Sequence, residues 1–139
     1  EFGLWVEPEM VNPDSDLYRA HPDWVLAAPP APQLAFRHQL VLDCARADVQ
    51  AHLLTRIDAL LRAHPITYLK WDMNRDISHP GRDWQDGQPA RPGALAHVQG
   101  LYAMLDRLRA DHPGVEIESC ASGGGRADYG VLARTDRIW

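Results

Sequence analysis

The chain has 139 residues, 45% of them apolar and 24% charged, with a formal net charge of -5. That is one domain or a piece of one, with enough apolar residue to bury a core. Lys and Arg are scattered rather than clustered, which argues against a nucleic-acid face, and no apolar run approaches the ~18 residues of a membrane span.

Taken in chain order, residues 2–6 are apolar and aromatic and read as a strand that Glu7-Pro8-Glu9 ends. Residues 12–33 hold Asn12-Pro13-Asp14 and then Pro29, Pro30 and Pro32, and are expected to be a long loop or excursion, since proline blocks helix and central strand alike. Gln39 to Asp43 is a short strand candidate. Residues 48–63 carry Val49, Leu53, Leu54, Ile57, Leu60 and Leu61 on one face at a 3.6 period, which predicts a helix stopped by His64-Pro65. Ile66 to Trp71 is then a strand. Residues 77–94 read as a second long loop, and 95–110 as a second helix with Leu95, Val98, Leu101, Tyr102, Leu105 and Leu108 inward. His112-Pro113-Gly114 ends it. Val115 to Cys120 is the next strand, a glycine-rich turn runs to Gly125, a short helix falls near 126–134, and Ile138-Trp139 opens another strand.

The helix end, His-Pro stop and strand start at Leu60–Ile66 are echoed at Leu108–Val115, a repeated helix-to-strand unit. Such alternation predicts an α/β fold with a parallel sheet, either doubly wound or a (β/α)8 barrel. In both, active groups gather at the carboxyl ends of strands. The polar clusters lie there, while the opposite ends carry plain His-Pro turns. Both termini read as strand, so the chain is expected to be a fragment of a larger protein. No signal-peptide pattern opens it, and Cys44 and Cys120 have no metal or redox spacing. A reduced cytoplasmic protein is the simpler expectation, with a disulfide as the alternative.

Asp72 stands out at the end of an apolar strand. Lys70, two residues earlier, points to the same side and would keep the carboxylate ionised, as a nucleophile requires. A structural pair with Lys70 or Arg75 is the other reading. Asn74 could add hydrogen bonds to a polar ligand. Trp5, Trp71 and Trp139 lie at or near strand ends, where they either stack on a sugar or fill an interface. Glu7 with Glu9, and Glu116 with Glu118, share strand faces, either bracing ligand-binding groups or facing solvent. Ser122 to Arg126 lacks the ending of a P-loop and reads as a tight strand-to-helix turn. Cys120 reads as buried or pocket-lining. The seven histidines form no metal motif, and no cofactor is implied; structural roles suit His38 and His97 better than site-lining ones.

Four blocks taken together resemble the α-galactosidases of glycoside hydrolase family 36: Gly3 to Leu17, Arg37 to Asp43, Leu69-Lys70-Trp71-Asp72-Met73-Asn74-Arg75, and Glu116 to Arg126. They occur in the family's order and cover nearly the whole chain. The resemblance implies the central part of a (β/α)8 catalytic barrel, truncated at both ends, and retaining hydrolysis of terminal α-galactosides of the melibiose and raffinose type. By motif, Asp72 matches the nucleophile. Trp5, Arg37, Lys70, Trp71, Asn74, Cys120, Gly123 and Trp139 match the substrate side, with Lys70 and Arg37 on hydroxyls and Trp5 on the sugar face. The family's general acid is an Asp expected three residues beyond Trp139, and its sugar-binding aspartate pair precedes Glu1. The chain alone is therefore expected to be inactive. The family often forms oligomers, through domains outside this chain. An α-N-acetylgalactosaminidase, a galactosyl transferase and a non-catalytic carbohydrate-binding remnant are the rival readings.

Overall fold

The structure, a computed structural model, describes residues 2–27, 32–78 and 93–139. Among them, six strands and four α-helices follow in order: β1 Gly3–Val6, β2 Met10–Val11, α1 Asp16–Ala20, β3 Leu40–Val41, α2 Ala47–Ala63, β4 Tyr68–Trp71, α3 Gly93–Asp111, β5 Glu116–Ser119, α4 Tyr129–Leu132 and β6 Arg137–Ile138. β1, β4, β5 and β6 form one parallel sheet in that order. Helical crossovers between parallel neighbours make it the α/β parallel arrangement that the alternating pattern predicts.

Gln39–Asp43 is not a strand of that sheet. Leu40 and Val41 pair antiparallel with Val11 and Met10 in a separate two-stranded ribbon, so β1 lies directly beside β4. Nor is the stretch 12–33 wholly irregular. Ser15 accepts the Tyr18 N–H and caps α1, and Pro22–Trp24 form one 3-10 turn. Most of the expected 77–94 loop lies outside the described residues.

Strand alternation divides the sheet into two faces. Leu4, Leu69 and Ile117 form one cross-strand row, and Val6, Trp71, Ser119 and Ile138 the next. Both rows turn toward α2 and α3. Val49, Leu53, Ile57 and Leu61 recur every fourth residue on α2, and Leu101, Met104, Leu105 and Leu108 line α3. Together with Leu69, Trp71 and Ile117 they form the main core. Leu60 and Leu95, expected inward, are 40% and 56% exposed. His97, Gly100 and Met104 take the inner face of α3 instead. The helix can pack closely because Gly100 has no side chain: a Cβ there would stand 1.8 Å from the Cys44 carbonyl oxygen. A satellite cluster of Met10, Leu26, Val41 and Met73 seats the ribbon against the end of β4. The opposite face of the sheet carries Trp5, Lys70, Glu118 and Arg137 in one cross-strand row.

Candidate active site

Asp72 follows β4 on the Lys70 side. Its N–H donates to the Val6 carbonyl at 2.9 Å, and the Met73 N–H donates to that of Cys120 at 3.1 Å. The carboxylate is thus wedged between the ends of β1 and β5. It is buried, and Trp5 Nε1 and Asn74 Nδ2 donate to its Oδ2 at 2.8 and 2.7 Å. The Met73 N–H reaches Oδ1 at 2.9 Å, and the Cys120 thiol adds a further bond. Burial pulls the carboxyl's pKa upward, but the bonds from Cys120, Trp5, Asn74 and Met73 outweigh it and hold the pKa below the ordinary aspartate value. Burial and the bond to Asp72 push the Cys120 thiol up, so it serves as a neutral donor.

Lys70 does not hold Asp72. Its ammonium lies 3.0 Å from Glu118 Oε1 and 3.5 Å from the centre of the Trp139 ring. Residues two apart on a strand share a face but stand ~6.5 Å apart, whereas Glu118 is directly opposite Lys70 in the register. Tyr68 donates to the same Glu118 carboxylate. Arg75 does not pair with Asp72 either; it donates to the carbonyls of Leu34 and Gln39, fastening the segment before β3.

Trp71 is a correction to the expected substrate side. It is 1% exposed in the core, and its Nε1 donates to Glu9 at 2.8 Å. Its position in β4 is one out of step with Lys70 and Asp72, so it faces the helices. Glu7 and Glu9 do not share a face, since the chain turns at Pro8, with the Met10 N–H on the Glu7 carbonyl. Glu7 reaches Asn74 at 2.7 Å on the site side. Glu9 is fully buried, bound by Arg126 at 2.7 Å and facing His97 at 3.0 Å. Sequence reading missed this set; a glutamate beside a turn proline gives no sign of facing inward.

Arg37 and His38 form the exposed two-residue tip of a hairpin closed by Phe36 and Gln39, at φ 54° and 59°. Two consecutive non-glycine residues in the left-handed region suit a type I′ turn and carry a backbone cost of order 1 kcal/mol or more each. No hydrogen bond among the described residues joins Arg37 to Asp72. Gly123, at φ 84°, lies where a Cβ would stand 3.9 Å from Trp139 Cδ1. The structure therefore gathers Trp5, Asn74 and Cys120 on Asp72, sets Lys70 under Trp139, and leaves Arg37 on its own turn.

Glu9, Cys44 and His97 bring ligand-type atoms within 4.8 Å of one another. Their bonding disfavours an ion. His97 Nδ1 accepts the Cys44 N–H, which puts its proton on Nε2, toward Glu9. Arg126 supplies positive charge, and burial pushes the Cys44 thiol up, away from the thiolate a metal needs. Both cysteines are free. No helix among the described residues is long and apolar enough to cross a membrane.

The Melibiase family model matches residues 1–139. The chain is 49% identical over 139 residues to the alpha-galactosidase of Escherichia coli, and 45% identical over 139 residues to alpha-galactosidase AgaA of Geobacillus stearothermophilus. Each match covers 100% of this chain and 19% of the relative, so the chain spans about a fifth of their length. Among solved structures, GH36 alpha-galactosidase AgaB from G. stearothermophilus superposes at a TM-score of 0.94 with 45% identity. An AgaA variant in complex with stachyose superposes at 0.93 with 44% identity; each covers 100% of this chain and 19% of the solved one. With its whole length matched by the family model and its fold superposing on these solved enzymes, the chain belongs to the Melibiase family, among the GH36 α-galactosidases.

Proposed function

We propose that this chain is the central part of a (β/α)8 catalytic domain, and that the complete protein hydrolyses terminal α-galactosidic bonds with retention. The observation that carries the reading is the state of Asp72: a buried carboxylate at a strand's carboxyl end, kept ionised by hydrogen bonds, with no salt bridge to it among the described residues. A nucleophile in this setting stays charged at neutral pH, as attack on a sugar carbon requires.

In a retaining mechanism one carboxylate attacks the anomeric carbon while a second protonates the departing oxygen, the two standing about 5–5.5 Å apart. Asp72 fills the first role. The family resemblance assigns the second to an Asp three residues beyond Trp139. The Asp72 ester is then hydrolysed by water, with the acid acting as base. Trp5, bonded to Asp72, and Trp139, over Lys70, offer aromatic rings to a sugar. Lys70, Asn74 and Arg37 supply polar contacts to hydroxyls, and Cys120 and Gly123 leave room beside them. AgaA variants have been solved with stachyose and with raffinose, which supports galactosyl-sucrose oligosaccharides as the substrate class here.

Asp72→Ala in the complete protein should abolish turnover of an aryl α-galactoside with a good leaving group. Such a substrate needs little acid help, so retained activity would remove Asp72 from the nucleophile's role.

A further inference from the structure

We infer that Glu7 is a positioning residue for the site, acting on Asp72 through the side chain of Asn74. The inference rests on the reading of Asp72 as nucleophile. Asn74 Nδ2 donates at 2.7 Å to Glu7 Oε1 and at 2.7 Å to Asp72 Oδ2. Both amide hydrogens are therefore committed, one to each carboxylate. Ionised carboxylates only accept, so a flipped amide would set its carbonyl oxygen against two anions. Glu7 thus fixes which end of Asn74 meets Asp72, and keeps the amide Oδ1 turned away from both acids.

Glu7 is itself held from the other side. Gln39 Nε2 donates to its Oε2 at 3.1 Å, and the Gln39 carbonyl accepts from Arg75. Gln39 also closes the hairpin whose tip is Arg37. Three segments therefore meet at Glu7: the turn after β1, the hairpin before β3 and the loop after β4. A glutamate that merely faced solvent would have no reason to take one donor from each neighbour. Without it, Asn74 keeps a single partner and its amide is free to rotate, so the Asp72 bond is made only part of the time.

The test is a double-mutant cycle in the complete protein with an aryl α-galactoside. Glu7→Ala is expected to lower kcat about ten- to a hundredfold, the effect of one charge-assisted bond on a precisely held group, with a smaller change in KM. The same substitution is expected to add little to Asn74→Ala, because its action runs through that amide. Glu7→Gln is expected to lose less than Glu7→Ala. Its amide oxygen still accepts from Asn74, and Gln39, whose buried Oε1 has no partner among the described residues, can turn to accept the new NH2. Independent losses in the cycle, an unchanged kcat for Glu7→Ala, or a loss tracking a fall in Tm equally in Glu7→Ala and Glu7→Gln would overturn the inference. Asp72→Ala, run alongside, separates the two claims. If it stays active, the nucleophile assignment falls. If it is inactive and the cycle is additive, only the role of Glu7 falls.

Discussion

Lys70 and Glu118 face each other across β4 and β5, with the ammonium 3.0 Å from Oε1 and side chains only 19% and 9% exposed. The pair supplies the cation that sits under Trp139. Glu118 is held below the ordinary glutamate pKa: burial raises it, and the bonds from Tyr68 and Lys70 prevail. Removing one partner of a mostly buried pair strands the other charge. Glu118→Ala is expected to cost about 2 kcal/mol of stability and to raise KM, since Lys70 loses its anchor. The urea midpoint and the substrate saturation curve of the complete protein check this. An unchanged midpoint would show that solvent already serves Lys70.

Trp5 and Trp71 carry the same side chain at the ends of neighbouring strands and do different work. Trp5 Nε1 donates to Asp72, and Trp71 Nε1 donates to Glu9 in the core. Phenylalanine keeps an aromatic ring, a smaller one, and removes the donor. Hydrogen bonding to the charged form depresses a carboxyl's pKa, so Trp5→Phe should let that of Asp72 rise. The acid limb of the kcat/KM profile should then move to higher pH. Trp71→Phe should lower stability and leave that limb where it is. Equal shifts in both variants would sink the assignment.

The elements most legible in the sequence are those with a period. α2 and α3 follow from repeated leucines and end at His-Pro, within two residues of the expected limits. β4 lies in a short, mostly apolar run with charge at its end, and Asp72 is readable there as a strand-end carboxylate. Strand parity also held a signal about Trp71, since a residue between Lys70 and Asp72 must face the other way. The ribbon was not legible, because two-residue strands show no alternation and Gln39–Asp43 looks like any sheet strand. Nor could sequence foretell the partners of Lys70, Glu7 and Glu9. Those depend on register between distant strands and on one turn at Pro8, which local pattern does not encode.

Gly100 is where α3 meets the chain before α2. A Cβ there would stand 1.8 Å from the Cys44 carbonyl oxygen, 2.6 Å from its carbon and 2.9 Å from Gln50 Nε2. Two of these are backbone atoms that cannot rotate aside. Gly100→Ala is therefore expected to cost about 3 kcal/mol or more, despite alanine's better helix propensity. Gly114, where a Cβ would meet nothing within 4 Å among the described residues, is the control. Gly114→Ala should stay within about 0.5 kcal/mol of the parent. Thermal unfolding of the two variants side by side decides it, and a mild Gly100→Ala would mean that α3 can slide.

Glu9 ties the core to the glycine-rich turn, and its charge makes that tie depend on pH. Burial raises its carboxyl pKa, but Arg126, then His97, then Trp71 outweigh this and lower it from 4.5 to about 2. A folded pKa below the unfolded one means that the stabilisation is fully present above pH about 4.5 and is lost as pH falls toward 2. It amounts to the order of 3 kcal/mol. Glu9→Gln places an amide between donors, with its NH2 opposing either Trp71 and Arg126 or His97, and it cannot titrate. The variant is expected to be less stable than the parent by a similar amount near neutral pH. That gap should narrow as pH drops below 4.5, because the parent gives up its advantage while the variant has none to lose. Urea midpoints of both proteins at neutral pH and at successively lower pH measure the gap directly. If it stays constant down to pH 3, the ion pair with Arg126 is not what holds the turn.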